Sequence, residues 1–257
     1  MNEVMEILGV KVNITNLSLA GETISDWIRC KQKTYVCIAP VSTIVDCQKD
    51  QQYRAIVNNA GMATPDGMPL VWLGKMRGEK IIERTYGPDL VLHLCNLSQE
   101  KGYRHYFYGS SPKTIQLLSQ RLKERFPRLN IVGSFSPPVR EAGSLESDDV
   151  LAQINSANPD ILWVGLGSPK QDYWMCNHRS RLNVPVMIGI GAAFDFLAGT
   201  KRQAPVWMRR CGLEWLFRLL CEPRRLWRRY LLGNTQFLYL LIKDFFKNRF
   251  SRHVANS

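Results

Sequence analysis

Paired cysteines are missing from this 257-residue chain. Its seven cysteines (Cys30, Cys37, Cys47, Cys95, Cys176, Cys211 and Cys221) are scattered, with no C-x-x-C. An odd number without a framework speaks against disulfides and for reduced thiols in a cytosolic protein, most of them buried as small apolar residues. Long apolar runs are also missing. The longest in the C-terminal stretch, Phe237–Ile242, falls far short of the roughly 20 residues that a membrane span needs. Met1 to Val12 mixes Glu3, Glu6 and Lys11 into its apolar residues, so no signal peptide is expected. No complete G-x-G-x-x-G is present. Gly165-Leu166-Gly167 and Gly189-Ile190-Gly191 are halves of one, with Lys170 and Phe194 where the third glycine belongs. That counts against a nicotinamide-dependent oxidoreductase. The chain shows no internal repeat and no low-complexity tract.

The apolar fraction, 45%, is that of a globular protein, and the length suits one α/β domain with an appendage. The net charge of +12 is uneven. Residues 201–257 hold 13 Lys and Arg against 3 Asp and Glu, whereas the first 200 residues hold 21 against 19. A near-neutral body with a strongly basic tail points to an anionic partner, be it nucleic acid, anionic lipid or a diphosphate ligand. A merely solvated basic helix is the plain alternative.

Several short apolar runs end in glycine turns and lead into helical patterns. Tyr35–Ala39 reads as a strand. His105–Tyr108 leads into Gly109-Ser110-Ser111-Pro112 and an amphipathic stretch from Thr114 to Phe126. Ile161–Val164 leads into the turn at Gly165–Gly167, and Val186–Ile188 into that at Gly189–Gly191. This alternation predicts a Rossmann-like, mostly parallel sheet with helices on both faces. Ligands of such sheets bind at the carboxyl ends of the strands, where the three glycine turns could bring backbone N–H groups to a phosphate or ribose. Ser136–Ser147, rich in Pro, Gly and Ser, reads as a loop.

Near Thr200–Pro205 the composition turns to Arg, Trp and Leu, which sets the expected boundary between a core at 1–200 and a basic, helical appendage at 201–257. Leu213, Leu216, Phe217 and Leu220 form an apolar stripe. Pro223 should end one helix and start another. Beyond it, Arg225 and Arg228 stand three apart and share a predicted helical face. Phe237–Phe250 interleaves aromatics with Lys243, Lys247 and Arg249, as helices lying at a membrane surface do. A hairpin packed on the core or on another subunit is the alternative.

Three strings carry a resemblance. The first is Thr64-Pro65-Asp66-Gly67-Met68-Pro69-Leu70-Val71-Trp72 with Glu83-Arg84-Thr85-Tyr86-Gly87-Pro88-Asp89-Leu90. The second is Gly165-Leu166-Gly167-Ser168-Pro169-Lys170-Gln171-Asp172-Tyr173-Trp174. The third runs from Gly189-Ile190-Gly191-Ala192-Ala193-Phe194-Asp195 through Gly199, Arg202, Ala204-Pro205 and Gly212-Leu213-Glu214-Trp215 to Arg218, Glu222-Pro223 and Arg225. In this order they resemble the WecG/TagA/CpsF glycosyltransferases (glycosyltransferase family 26), over nearly the whole chain. The resemblance implies transfer of a sugar from a UDP-sugar to a polyprenyl-diphosphate-linked sugar, with inversion and without metal or other cofactor, at the cytoplasmic face of the membrane. In agreement, the sequence has no D-x-D, and its four histidines (His93, His105, His178 and His253) do not cluster along it.

An inverting transfer needs a group that takes the acceptor hydroxyl's proton. Asp66 matches the family's proposed base, although Pro-Asp-Gly is also a turn signal. The leaving diphosphate gains charge that cations must stabilise. The resemblance places Arg218, Arg225 and Arg228 there, and Arg84 and Gln171 in the pocket. Gly109, Gly167, Lys170 and Asp195 complete the expected substrate contacts. The alternative for Arg84 is a surface ion pair with Glu83 or Asp89, and for Gln171 a plain helix N-terminal position. One departure stands out. The family often shows Thr-x-Asn where this chain has Ile38-Ala39-Pro40; the expected transfer is N-acetylmannosaminyl-, glucosyl- or glucuronosyl-type, and this departure points to a hexose or uronic acid over N-acetylmannosamine. A nucleic-acid-binding protein using the Arg/Trp tail is the competing function; it leaves the strings around Asp66 and Gln171 unexplained.

Overall fold

The computed structural model describes residues 3–138 and 141–254, with side chains described through residue 247. Val139 and Arg140 of the expected 136–147 loop, and the side chains of Arg249, Phe250 and His253, lie outside the described residues.

Six parallel strands form the central sheet: β3 (Thr34–Ala39), β4 (Met62–Pro65), β5 (Arg104–Gly109), β6 (Asn130–Phe135), β7 (Ile161–Gly165) and β8 (Val186–Gly189). Their order across the sheet is β4-β3-β8-β7-β5-β6. β3, β7 and β8 are runs of Val, Ile, Leu, Tyr and Trp because both of their faces are covered. Val36, Ile38, Phe107, Trp163 and Ile188 point into a core shared with the helices Leu17–Arg29, Gly87–Lys101, Pro112–Arg125 and Ala193–Ala198. On the other face Tyr35, Cys37, Tyr106, Leu162 and Met187 pack under Asp148–Ala157 and Lys170–His178.

A hairpin of β1 (Val4–Ile7) and β2 (Val10–Asn13) lies beside the β4 edge. There Asn13 Oδ1 accepts from the Ala63 amide at 2.8 Å. The pairing protects an otherwise open strand edge. All seven cysteines are free thiols; Cys37, Cys47 and Cys95 are buried.

The site follows from one topological fact. β3 and β8 are neighbours, yet the helix after β3 (Val41–Lys49) packs with Ala39 in one core, and the helix after β8 (Ala193–Ala198) packs in the opposite one. The chain leaves adjacent strands on opposite faces, and the carboxyl edge opens as a crevice between them.

The basic tail closes that crevice. As Pro223 requires, helix Glu214–Cys221 ends and Pro223–Trp227 begins with the proline in its first turn. A π-helical turn, Arg228–Leu232, then leads into the long helix Gly233–Val254. Ala204, Glu214, Leu226 and Phe237 are buried, and Phe237 joins the core around Val41, Ile44 and Val45. Among the described residues no helix is long and apolar enough to cross a membrane.

Candidate active site

A cavity of about 250 Å³ occupies the crevice. Ile38, Pro40, Val41 and Ser42 line it from the end of β3, Asp66 and Gly67 from β4, Gly167, Ser168 and Gln171 from β7, and Ile190 to Ala193 from β8. Glu214, Trp215, Arg218, Arg225, Arg229 and Tyr230 close it from the tail.

Asp66 follows the last residue of β4. Its amide extends the ladder to the Ala39 carbonyl at 3.2 Å, and Gly67 then opens helix Met68–Met76. The residue that forms this turn also lines the cavity. Arg84 arrives on an extended segment whose Thr85 amide donates to the Pro65 carbonyl at 2.9 Å. Its guanidinium donates to the Asp66 carbonyl, to Asp66 Oδ1 at 3.1 Å and to Glu214 Oε2 at 2.7 Å. It also lies 4.1 Å above the ring of Tyr86. The Tyr86 hydroxyl donates to Glu214 Oε1 at 2.9 Å. Arg84 is thus no surface partner of Glu83 or Asp89. Its side chain is 17% exposed, and Asp89 faces Arg209 at 3.5 Å.

Burial raises the Asp66 carboxyl above its ordinary range. The nearby Arg84 and Arg218 pull it back and Glu214 pushes it further up. A carboxylate of raised basicity, opening on a cavity, suits a proton acceptor.

Gln171 sits in the first turn of helix Lys170–His178 and is 2% exposed. Its Oε1 accepts from the amides of Gly167 at 3.1 Å and Gly191 at 2.9 Å, and its Nε2 donates to Ser168 Oγ at 3.2 Å. The side chain clamps two of the glycine turns together. This corrects the expectation that those two amides face a phosphate, since both are spent on Gln171. Gly109 has another role in the geometry. With φ of +118°, a Cβ there would stand 2.7 Å from the Gly165 backbone, so the residue lets the ends of β5 and β7 meet.

Of the remaining expected residues, Arg218 and Arg225 line the cavity with Asp66 and Arg84. Arg218 lies over Phe196 at 5.4 Å, and Arg225 is held by Glu222 at 2.6 Å. Asp195 stands outside the lining, 3.4 Å from Lys201, which also approaches Glu222 at 3.7 Å. Lys170 lines a second cavity of about 680 Å³, reached past Gly165 and Leu166 and walled by Tyr108 stacked on Trp174 at 4.2 Å. Arg228 is exposed and lies over Trp227 at 5.3 Å, outside the lining. The wider π-helical turn brings Arg229 round instead, where it donates to Ser42 Oγ at 3.0 and 2.8 Å. Glu214, Arg229, Tyr86 and Ser42 are the site residues that the sequence reading lacked. A signal for Glu214 existed: it is one of three acids in a stretch with 13 basic residues.

Residues 5–251 match the Glycosyl transferase WecG/TagA/CpsF family. The chain belongs to this family. As a glycosyltransferase, it resembles enzymes named N-acetylglucosaminyldiphosphoundecaprenol N-acetyl-β-D-mannosaminyltransferase. One from Bacillus spizizenii is 31% identical over 186 residues, 72% of this chain and 70% of that protein. One from Bacillus subtilis is 28% identical over 226 residues, 85% of this chain and 86% of the relative. A Staphylococcus aureus protein of the same name is 23% identical over 241 residues, 93% and 92% of the two chains. The family places the basic tail within a glycosyltransferase, and its arginines at 218, 225 and 229 line the cavity rather than forming a free nucleic-acid-binding surface.

Proposed function

We propose that this glycosyltransferase moves a sugar from a UDP-sugar to a polyprenyl-diphosphate-linked sugar in the synthesis of a bacterial envelope polysaccharide. The observation that carries the reading is one cavity in which a carboxylate of raised basicity, Asp66, shares the lining with Arg218, Arg225 and Arg229. The acceptor hydroxyl attacks the anomeric carbon from the side opposite the nucleotide, and Asp66 takes its proton. The bond to the diphosphate breaks, and UDP leaves with the electron pair. A single displacement inverts the anomeric centre. The three arginines stabilise the leaving diphosphate, a task that a metal performs in other enzymes.

The second cavity, with its stacked aromatic wall and Lys170, suits the nucleoside end of the donor. Gly167 and Gln171 line the first cavity, and their chain neighbours Leu166 and Lys170 line the second. The sugar then lies against Ile38 and Pro40, whose side chains offer no hydrogen bond; this favours a hexose or uronic-acid donor over the N-acetylmannosamine of the relatives' names.

The tail also presents Trp207, Leu220, Trp227, Leu238, Phe245 and Phe246, all at least 42% exposed, and the core exposes Trp72 and Met76. With Arg224, Arg228, Lys243 and Lys247 nearby in sequence, this surface suits an anionic membrane leaflet, where a lipid-linked acceptor lies. An oligomer contact is the alternative use of the same surface.

The test is an assay of UDP release from several UDP-sugars with a short-chain polyprenyl-diphosphate-linked N-acetylglucosamine. Release should depend on the acceptor and survive EDTA. Loss in EDTA with rescue by Mg²⁺ or Mn²⁺ would overturn the arginine-based account.

A further inference from the structure

We infer that Glu214 is a positioning residue that couples seating of the C-terminal helices to the basicity of Asp66. The inference rests on the reading of Asp66 as the base. It starts from a competition for one nitrogen. Arg84 Nη2 lies 2.7 Å from Glu214 Oε2 and 3.1 Å from Asp66 Oδ1. A guanidinium nitrogen drawn to Glu214 is drawn away from Asp66. A carboxylate gripped fully by an arginine is a poor proton acceptor, because the pairing stabilises its charged form.

Glu214 is well built for this task. It opens helix Glu214–Cys221, is 7% exposed and is fixed at its other oxygen by the Tyr86 hydroxyl, which itself accepts from Gln203 Nε2 at 3.3 Å. The charged and titratable groups facing Asp66 are Arg84 beside it in the core, Glu214 and Arg218 from the tail, and the phenols of Tyr86 and Tyr230. Burial raises Asp66 most, and Glu214, the carboxylate in this set, adds its like charge to that effect.

The consequence is a safeguard. When the C-terminal helices are unseated, the cavity loses Arg218, Arg225 and Arg229, and Arg84 falls entirely to Asp66. The base weakens at the moment when water could reach the donor. When the helices seat, Glu214 takes its share of Arg84, and the base and the diphosphate site are completed together.

Glu214→Gln removes the charge with little change of shape. The amide oxygen can accept from Arg84, and the amide nitrogen can donate to Tyr86. The measurement is UDP release by the full chain between pH 4.5 and 9, with the UDP-sugar and lipid-linked acceptor of the assay above. The acid limb of kcat/KM should move to lower pH, and the plateau rate should fall about tenfold, as a weaker base requires. Donor KM should stay within about twofold, since a KM effect alone marks lost uniform binding. Glu214→Met, which removes the charge with no amide to mispair, must move the limb the same way should Glu214→Gln fold poorly. An acid limb that stays in place or moves to higher pH overturns the inference. Asp66→Asn is run beside them. If it is inactive and the Glu214 limb is unmoved, the coupling alone is wrong; if it is fully active, the base reading falls and the coupling with it.

Discussion

Replacing Arg84 by methionine should be among the costliest single changes in this protein, and its cost should depend on pH in a defined sense. Arg84 lies between two carboxylates, Asp66 and Glu214, whose side chains are 18% and 9% exposed. Methionine refills most of the volume but leaves two negative charges facing each other without their cation. Breaking a buried ion pair from one side costs about 3–5 kcal/mol. Partial exposure lets water screen Asp66, so the lower end, about 3 kcal/mol, applies at pH 7.5. In the variant Asp66, already raised by burial, loses the Arg84 cation that pulls it back while the Glu214 charge still pushes it up, so its folded-state pKa rises further above the unfolded value. A group raised on folding contributes stability below its unfolded pKa and loses it as pH rises through the folded one. The deficit against wild type should therefore be largest near pH 7.5 and shrink towards pH 4.5. Urea denaturation of both proteins at the two pH values measures it. Tryptic cleavage at Lys201, Arg202 or Arg209 should also quicken, because the tail loses its buried tie. A deficit under about 1 kcal/mol at pH 7.5, or one that is equal at both pH values, would refute the reasoning.

A second titration lies away from the cavity. Asp172 is 1% exposed, accepts from the Tyr53 hydroxyl at 2.7 Å and is pushed by burial from 3.8 up to about 6. Wild type should lose up to about 3 kcal/mol through this group as pH rises from 4 to 7, a loss that Asp172→Asn removes; parallel stability curves for the two proteins would show that Asp172 does not titrate this way. The tail should separate into two functions. Arg225→Ala should cut transfer far more than vesicle binding. Arg228→Ala should weaken sedimentation with anionic vesicles by about 1 kcal/mol, roughly fivefold, and largely spare transfer. Variants that lose both in step would make the tail a plain anchor.

The sequence made parts of this legible and hid others for physical reasons. β3, β5, β7 and β8 stand out because strands covered on both faces are continuous apolar runs. β4 has only four residues and ends in a turn signal, β6 is a half-exposed edge strand interrupted by Gly133, and the hairpin alternates charged and buried residues within two four-residue strands. These carry too short a pattern to read. In the site, the resemblance points to Asp66 and Arg84, but the sequence offers Arg84 only near neighbours as partners, whereas its second partner is 130 residues away. The sequence pairs Arg228 with Arg225 only if the α-helix is unbroken. The π-helical turn at Arg228–Leu232 breaks that count and delivers Arg229. The resemblance puts Gln171 in the pocket, and its geometry gives it a structural task there: it holds two loops of the cavity in register.

The central claim is tested most directly by single-turnover transfer with Asp66→Asn. The substitution keeps the size of the side chain and the hydrogen bond that Oδ1 can accept from Arg84, so the variant should fold and bind the UDP-sugar. Its rate of acceptor-dependent UDP release at pH 7.5 should fall about 100-fold or more, the scale on which a general base contributes. Near-normal release by the folded, donor-bound variant would contradict the account, and another group would then have to take the acceptor's proton.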